Sequence, residues 1–236
     1  MLVLRCSQAL RLAYALRVTP PSQSKEAAAA FNSLLLRTFA TLGDISTKEL
    51  GAPWDPQRED SPSPLSQLPL PLDLGGLGLR NQEHLAPLAY LGSLGLTLAT
   101  IRDHVPQLAQ AVAALADLGS AHPLPALEDA RQAVEALRSR DVTLTLDPKT
   151  PFSWEAATAQ SWPRLQKRFC RASDARRYAS LVSDRAVPDW HRNRIRSCGG
   201  TGAANFITAM PAGAALRIPD AAYRFLLRWR LGLPLP

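Results

Sequence analysis

Leu68-Pro-Leu-Pro-Leu-Asp-Leu-Gly-Gly-Leu-Gly-Leu79 runs directly into Arg80-Asn-Gln-Glu-His84 and then into Leu85-Ala-Pro-Leu-Ala-Tyr-Leu-Gly-Ser93. Gly75, Gly76 and Gly78 permit positive φ or a close backbone approach, and the leucines between them need a buried surface. The stretch reads as a tight apolar corner that delivers the chain into a helix. Spacing argues against a nucleotide loop. The third glycine of a dinucleotide fingerprint falls due where Asn81 stands, and no acidic residue follows a second strand about 20 residues on. No Gly-Lys-Ser/Thr is present for a P-loop.

Outward from this corner the chain reads as mostly α, an irregular array of helices broken by proline and glycine, with little strand. A first helix ends before Thr19-Pro20-Pro21. Ser22 or Ser24 is expected to cap a second, which runs to about Leu42 and stops at Gly43. Residues 51–67 are rich in proline and charge and lack periodicity. After the corner, helices are expected from about Gln82 to Arg102 with Pro87 in the first turn, from about Val105 to Leu118 before Gly119, and from Ala126 to Arg138. In the last of these Leu127, Ala130, Val134 and Leu137 recur at helical spacing. Asp141 to Leu146 alternates as a short strand would, yet has no partner strand. Trp154 and Trp162 flank another helix. The chain therefore divides into thumb-like helices (1–50), a proline-rich linker (51–74), an alanine- and leucine-rich helical region (75–150) and a basic helical connector (151–236).

Charge is distributed unevenly along the 236 residues. Residues 1–163 carry 13 basic and 16 acidic side chains, whereas 164–236 carry 14 and 4, so the formal +7 comes from the last third. Such polarity is the footprint of a polyanion partner, with nucleic acid ahead of an anionic membrane and a plain solvated face as the alternative. Arg164, Lys167, Arg168, Arg171, Arg176 and Arg177 fall on one expected helix, interleaved with Phe169 and Tyr178 and followed by Trp190. Arg224 and Arg228 share a second helix, which Asp220 could cap, and Trp229 is expected to be buried there.

Little else in the chain carries chemistry. Cys6, Cys170 and Cys198 lie far apart without metal-ligand spacing, so reduced thiols are expected. His84, His104, His122 and His191 are isolated. The acid pairs Glu59-Asp60 and Glu128-Asp129 sit in a polar linker and at a helix start, where acids complement the helix dipole. Gly199-Gly-Thr-Gly202 reads as a turn rather than a phosphate cradle. No uninterrupted apolar run reaches the roughly 18 residues needed to span a bilayer, so no membrane role is expected. Residues 1–25 carry Arg5, Arg11, Arg17 and Lys25 with no acid, the pattern of either a mitochondrial presequence or an amphipathic structural helix.

Taken together, these strings resemble one family, the region downstream of the polymerase palm in reverse transcriptases of non-LTR, LINE-like retrotransposons. The resemblance rests on Leu4-Arg-Cys6 with Arg11-Leu-Ala-Tyr14 and Arg17-Val-Thr-Pro-Pro21. It continues through Gly75-Gly-Leu-Gly-Leu-Arg80 with Ala89-Tyr-Leu-Gly-Ser93, and ends with Gly199-Gly-Thr-Gly-Ala203, Ala222-Tyr-Arg224 and Arg228-Trp-Arg-Leu-Gly232. It covers nearly the whole chain, loosely in the alanine-rich middle. It implies a thumb that grips a primer–template duplex and a basic connector, with Gly75, Gly76, Gly78 and Arg80 as a structural motif. The palm aspartates that would hold Mg are not among these residues, nor is the downstream zinc knuckle, so no cofactor and no catalysis are expected of this chain alone.

The expected function is non-specific binding of an RNA or DNA duplex, possible beside a separate palm-containing polypeptide, in the nucleus or cytoplasm with mitochondria as the lesser alternative. Arg164, Lys167, Arg168, Arg171, Arg176, Arg177, Arg224 and Arg228 are the expected phosphate contacts. About five neutralised phosphates would give a log–log salt slope near roughly −4.5. The rival reading is a helical scaffold or protein-interaction module.

Overall fold

The computed structural model describes residues 9–58, 60–116, 124–208 and 217–235. Cys6 and the opening Leu4-Arg-Cys6, Glu59, Gly119 and His122 lie outside them. The architecture is mostly α, with α1 (Ala9–Val18), α2 (Pro21–Gly43), α3 (Thr47–Gly51), α4 (Pro64–Gln67), α5 (Gln82–His104) and α6 (Pro106–Ala113) in the first half. α7 (Pro125–Arg138), α8 (Trp154–Ala159), α9 (Leu165–Ser183), α10 (Asp189–Cys198), α11 (Asn205–Thr208) and α12 (Asp220–Leu231) follow. They form two compact units. One holds Phe31–Asn81 with Arg177–Pro236, the other Arg11–Ala30 with Gln82–Arg176. α2 and α9 each contribute residues to both.

The second unit is organised by α5. This helix is apolar around most of its circumference, the pattern of a helix enclosed by others, and Leu85, Leu88, Ala89, Leu91 and Leu98 are buried against α6, α7 and α8. Among the described residues it is the one helix long and apolar enough to cross a membrane, and 56% of that apolar window is buried inside the protein. Pro87 stands in its second turn rather than its first. A side chain at Gly92 would run into the backbone of Gln166, and one at Gly95 into Leu165, so small residues let the start of α9 rest on α5. In α7 the expected stripe of Leu127, Ala130, Val134 and Leu137 is buried. Helix α2 begins at Pro21, ahead of both serines expected to cap it. Ser22 instead turns its amide and hydroxyl to the Asp129 carboxylate at 3.3 and 2.8 Å, placing an acid where the helix dipole favours one. Leu16 of α1 joins this core, and Arg17 donates to Gln166 at 2.7 Å.

The alternation at 141–146 governs burial rather than sheet formation. Val142, Leu144 and Leu146 face inward. The segment folds back on itself through a single bridge between Thr145 and Pro151, and Asp147 accepts from the amides of Lys149 and Thr150 to hold the turn.

In the first unit the glycine corner is a short antiparallel return. Leu68 and Leu70 face Leu77 and Gly78, with the amides of Leu77 and Leu79 on the Leu68 carbonyl and that of Gly78 on the Leu70 carbonyl at 2.8 Å. A 3₁₀ turn at Leu72–Leu74 closes it, ending at Gly75 with φ +82°. Leu68, Leu70, Leu77 and Leu79 are all buried. Gly76 is needed for a different reason: a methyl group there would overlap the backbone carbonyl of Leu70. The expected linker at 51–74 belongs to this unit, and its Gln67 is completely buried.

Gly76→Ala is expected to destabilise the protein by about 3 kcal/mol, because backbone rather than a movable side chain must give way. Gly51→Ala, where the added methyl meets only the end of Leu65 at 3.9 Å, should shift the urea midpoint little. Chemical denaturation of both variants checks the contrast.

Candidate functional site

The predicted basic residues divide by environment. Arg164 precedes α9 with φ +62°, in the left-handed region, and the first turn of α9 contains no acid. Helical spacing puts Lys167, Arg168 and Arg171 on one face of α9, opposite the fully buried Phe169, and Arg164 lies in the turn just before that helix. Arg164, Lys167 and Arg171 are exposed, and none forms an ion pair among the described residues. Arg168 is half-buried and donates to the Leu146 carbonyl. Arg176 points elsewhere and pairs with Asp141 at 2.8 Å, while Arg177 is half-buried in the first unit.

Arg224 and Arg228 of α12 belong to an ion-paired cluster. Arg224 reaches Asp44 at 3.4 Å. Arg228 pairs with Glu49 and donates to the carbonyls of Pro234 at 2.7 Å and Asp44 at 3.2 Å. Glu49 also closes a capping box with Ser46 at the start of α3. The Ser46 amide, then the Arg228 guanidinium and the Ser46 hydroxyl, hold its carboxyl down at about 2. A shallow cleft of about 600 Å³ lies beside this cluster, lined by Arg37, Thr41, Asp44, Ser46 and Glu49 among others. Trp229, expected inside, is 45% exposed. α12 turns Leu227, Arg230 and Leu231 inward, and that arc leaves Trp229 and Phe225 on the outer side. Asp220 is the first residue of the helix rather than its cap, a place taken by Pro219.

The most enclosed charge is one to which the sequence assigned no site role. Arg230 has no exposed surface. Its Nε and Nη2 donate to the Gly76 carbonyl at 3.1 and 3.0 Å, Nη2 also to Leu72 at 2.9 Å, and Nη1 to Ala203 at 3.2 Å. Arg194 of α10 lies beside it and donates to the Arg230 carbonyl, to Gln67 Oε1 at 3.0 Å and to His191 Nδ1 at 3.1 Å. Gln67 returns its amide to the Gly75 and Arg230 carbonyls at 2.7 and 3.0 Å. Every acceptor in this network is neutral. Carbonyl dipoles and planar donor geometry take the place of a carboxylate.

Burial dictates the titration of these groups. It pushes His191 down to about 3, helped by the neighbouring Arg194 charge, and draws Arg194 down to about 10. It also lowers Arg230 and raises the Cys198 thiol, which closes α10. Cys170 and Cys198 are buried and not joined in a disulfide. Register held the available signal. His191, Arg194, Ile195 and Cys198 recur at i, i+3, i+4 and i+7, and Arg230 adjoins Leu231 three positions after Leu227, as core residues would.

In the glycine string at 199–202 the Gly199 and Gly200 amides bond the Ile195 and Ser197 carbonyls, and the Gly200 and Gly202 carbonyls accept from the amides of Ala203 and Asn205. Arg80 of the corner motif is half-buried. Among the described residues no group of three or more His, Cys, Asp or Glu side chains is placed to hold a metal ion. No family model, curated protein or solved structure matches the chain.

Arg230→Lys is expected to destabilise the first unit nearly as much as Arg230→Ala, by about 3 kcal/mol or more, since an ammonium cannot serve three carbonyls spread over a guanidinium plane. Thermal or urea unfolding of the pair tests this. A lysine variant of wild-type stability would refute the geometric account.

For His191, the unfolded chain takes up a proton near pH 6.5 that the native state refuses until about pH 3. Stability therefore rises with pH across that window. Glu49 acts only below 4.5, so of these two groups His191 alone contributes between about pH 5 and 6.5. His191→Gln should flatten the unfolding free energy there.

Proposed function

We propose that the chain binds nucleic acid without sequence preference, through the cationic face of α9. The observation that carries this reading is the clustering of Arg164, Lys167 and Arg171 at the start of α9, three exposed cations with no carboxylate partner among the described residues. Phosphate contacts of this kind position a duplex without reading its bases. Arg168 adds charge at the same face while its guanidinium is anchored to Leu146. Arg176, Arg224 and Arg228, already paired with Asp141, Asp44 and Glu49, contribute less. The resemblance to the thumb and connector of LINE-like reverse transcriptases agrees with a duplex ligand, and we extend it to a role beside a palm-containing polypeptide.

A scaffold reading has one observation in its favour. Tyr14 and Val18 on α1, and Leu34 and Leu42 on α2, are large apolar side chains at least half exposed. Charge neutralisation on α9 separates the two, because capture of a partner through apolar faces would survive it.

Removing Arg164, Lys167 and Arg171 together by alanine substitution is expected to make the salt dependence of duplex affinity shallower by about 2.7 in log–log slope. Arg164→Gly alone should weaken binding while raising stability by about 1 kcal/mol, since glycine occupies the left-handed region without strain. Fluorescence anisotropy across a salt series, with urea unfolding alongside, reads both. A flat wild-type slope, or one the triple variant leaves unchanged, overturns the proposal.

A further inference from the structure

Arg17 is an exposed cation in the last turn of α1. An arginine at that place can turn back to the last carbonyls of its own helix. This one reaches across to another helix, where its Nε donates to Gln166 Oε1 at 2.7 Å. Both ends of the bond are fixed from below. Leu16, the chain neighbour of Arg17, is buried in the core of the second unit, and the backbone of Gln166 rests so closely on Gly92 of α5 that no Cβ would fit between them. The acceptor is a neutral amide. Whereas Arg176, Arg192, Arg224 and Arg228 end on carboxylates, Arg17 is held in place with its charge intact and forms no ion pair among the described residues.

The Nε bond leaves the two terminal nitrogens, Nη1 and Nη2, with no protein partner among the described residues. They form the end of a planar fork that matches two oxygens of one phosphate. The fork stands at the start of α9, because Gln166 lies between Arg164 and Lys167 in the chain. Exposed cations from two elements thus adjoin within one compact unit, Arg17 from α1 and Arg164, Lys167 and Arg171 from α9 and the turn before it. A pair made only to fasten α1 to α9 would gain from a carboxylate at position 166 amid so much positive charge. A neutral amide there orients the guanidinium without cancelling it, which suits a ligand that brings its own negative charges in a row.

We infer that Arg17 is a further phosphate contact of the nucleic-acid site, presented ready-oriented by Gln166, so that a sugar–phosphate backbone is met by α1 as well as by the start of α9. The inference rests on the reading of the chain as a nucleic-acid binder and names a residue outside the basic last third on which that site depends. Arg17 touches the ligand, and Gln166 is a positioning residue that acts through it. Ordering a long side chain before the ligand arrives lowers the entropy lost on binding.

The test titrates a fluorescein-labelled DNA duplex across a salt series with the full chain, Arg17→Ala, Arg17→Gln and Gln166→Ala, with urea unfolding of each alongside. Arg17→Ala should weaken binding about tenfold and make the log–log salt slope shallower by about 0.9. Arg17→Gln, which keeps a donor for Gln166 but loses the charge, should match it. Gln166→Ala keeps the cation and loses its orientation, so affinity should fall about threefold at an unchanged slope. The double variant Arg17→Ala/Gln166→Ala should bind no more weakly than Arg17→Ala. Variants that lower the urea midpoint yet leave affinity and slope at wild-type values would make the pair a fastening between helices and overturn the inference. So would an equal loss from Gln166→Ala with and without Arg17, or tighter binding of poly-glutamate than of the duplex, which would make an acidic protein segment the ligand. If the slope depends on Arg164, Lys167 and Arg171 but not on Arg17, only the Arg17 inference fails; if the duplex does not bind, the nucleic-acid reading fails with it.

Discussion

A guanidinium with no access to water and no carboxylate beside it holds the first unit together. Arg230 joins the carbonyls of Leu72, Gly76 and Ala203, tying the C-terminal helix to the glycine corner and to the turn after α10. A buried cation is tolerable only when each of its donors finds an acceptor. The acceptors here are backbone carbonyls of turns, those of Gly76 and Ala203 together with that of Leu72, which also takes the Gly75 amide closing the 3₁₀ turn. That explains the corner as much as the arginine. The Gly76 carbonyl can face Arg230 only if the chain passes the Leu70 carbonyl more closely than a Cβ allows, and Gly75 makes the bend at positive φ. The same region uses Gln67 and Arg194 to satisfy the Gly75 and Arg230 carbonyls. One polar cluster thus connects α4, the corner, α10 and α12.

Charge counts along the sequence therefore overstate the basic surface. Of the cations in the last third, Arg194 and Arg230 are consumed by the core. Arg176, Arg192, Arg224 and Arg228 are neutralised by Asp141, Asp189, Asp44 and Glu49. Arg168 is anchored to a carbonyl. The +10 read from composition thins to a few groups, chiefly Arg164, Lys167 and Arg171 at the start of α9, Arg185 ahead of α10 and Arg196 in its last turn. Any polyanion footprint is correspondingly smaller than net charge implies.

What was legible in the sequence follows from how each signal arises. α5 and α7 announce themselves through apolar spacing, and the leucines of the corner required a buried surface and have one. The buried arginines were illegible because an Arg codon carries no mark of direction. Only register could separate Arg230 from Arg228, two positions apart, one enclosed and the other at the rim. The same ambiguity misplaced Trp229, since an indole is expected inside until a neighbouring guanidinium takes the inner position. Asp44 and Glu49, which decide how much of Arg224 and Arg228 remains available, lie about 180 residues upstream, beyond the reach of local pattern. Of the candidate site, the shared face of Lys167 and Arg171 was readable because it depends on helical spacing alone, whereas the left-handed turn that takes Arg164 out of the helix left no such mark.

That stripe also opposes the folding preferences of its own helix. Lys167 and Arg168 lie in the first turn of α9, where the helix dipole favours anions, and no acid accompanies them. Arg164 adds a left-handed backbone that costs about 1–2 kcal/mol for a side chain of its kind. Among the described residues the other two of this kind, Asp44 and Asp141, have the short polar side chains that tolerate it. A sequence shaped by stability alone would place glycine or asparagine at 164 and an acid in the following turn. Local preference is set aside where a structure is committed to another task. An anionic ligand at the start of α9 would offset the charge penalty, supplying the negative charge that the dipole and the cations lack there.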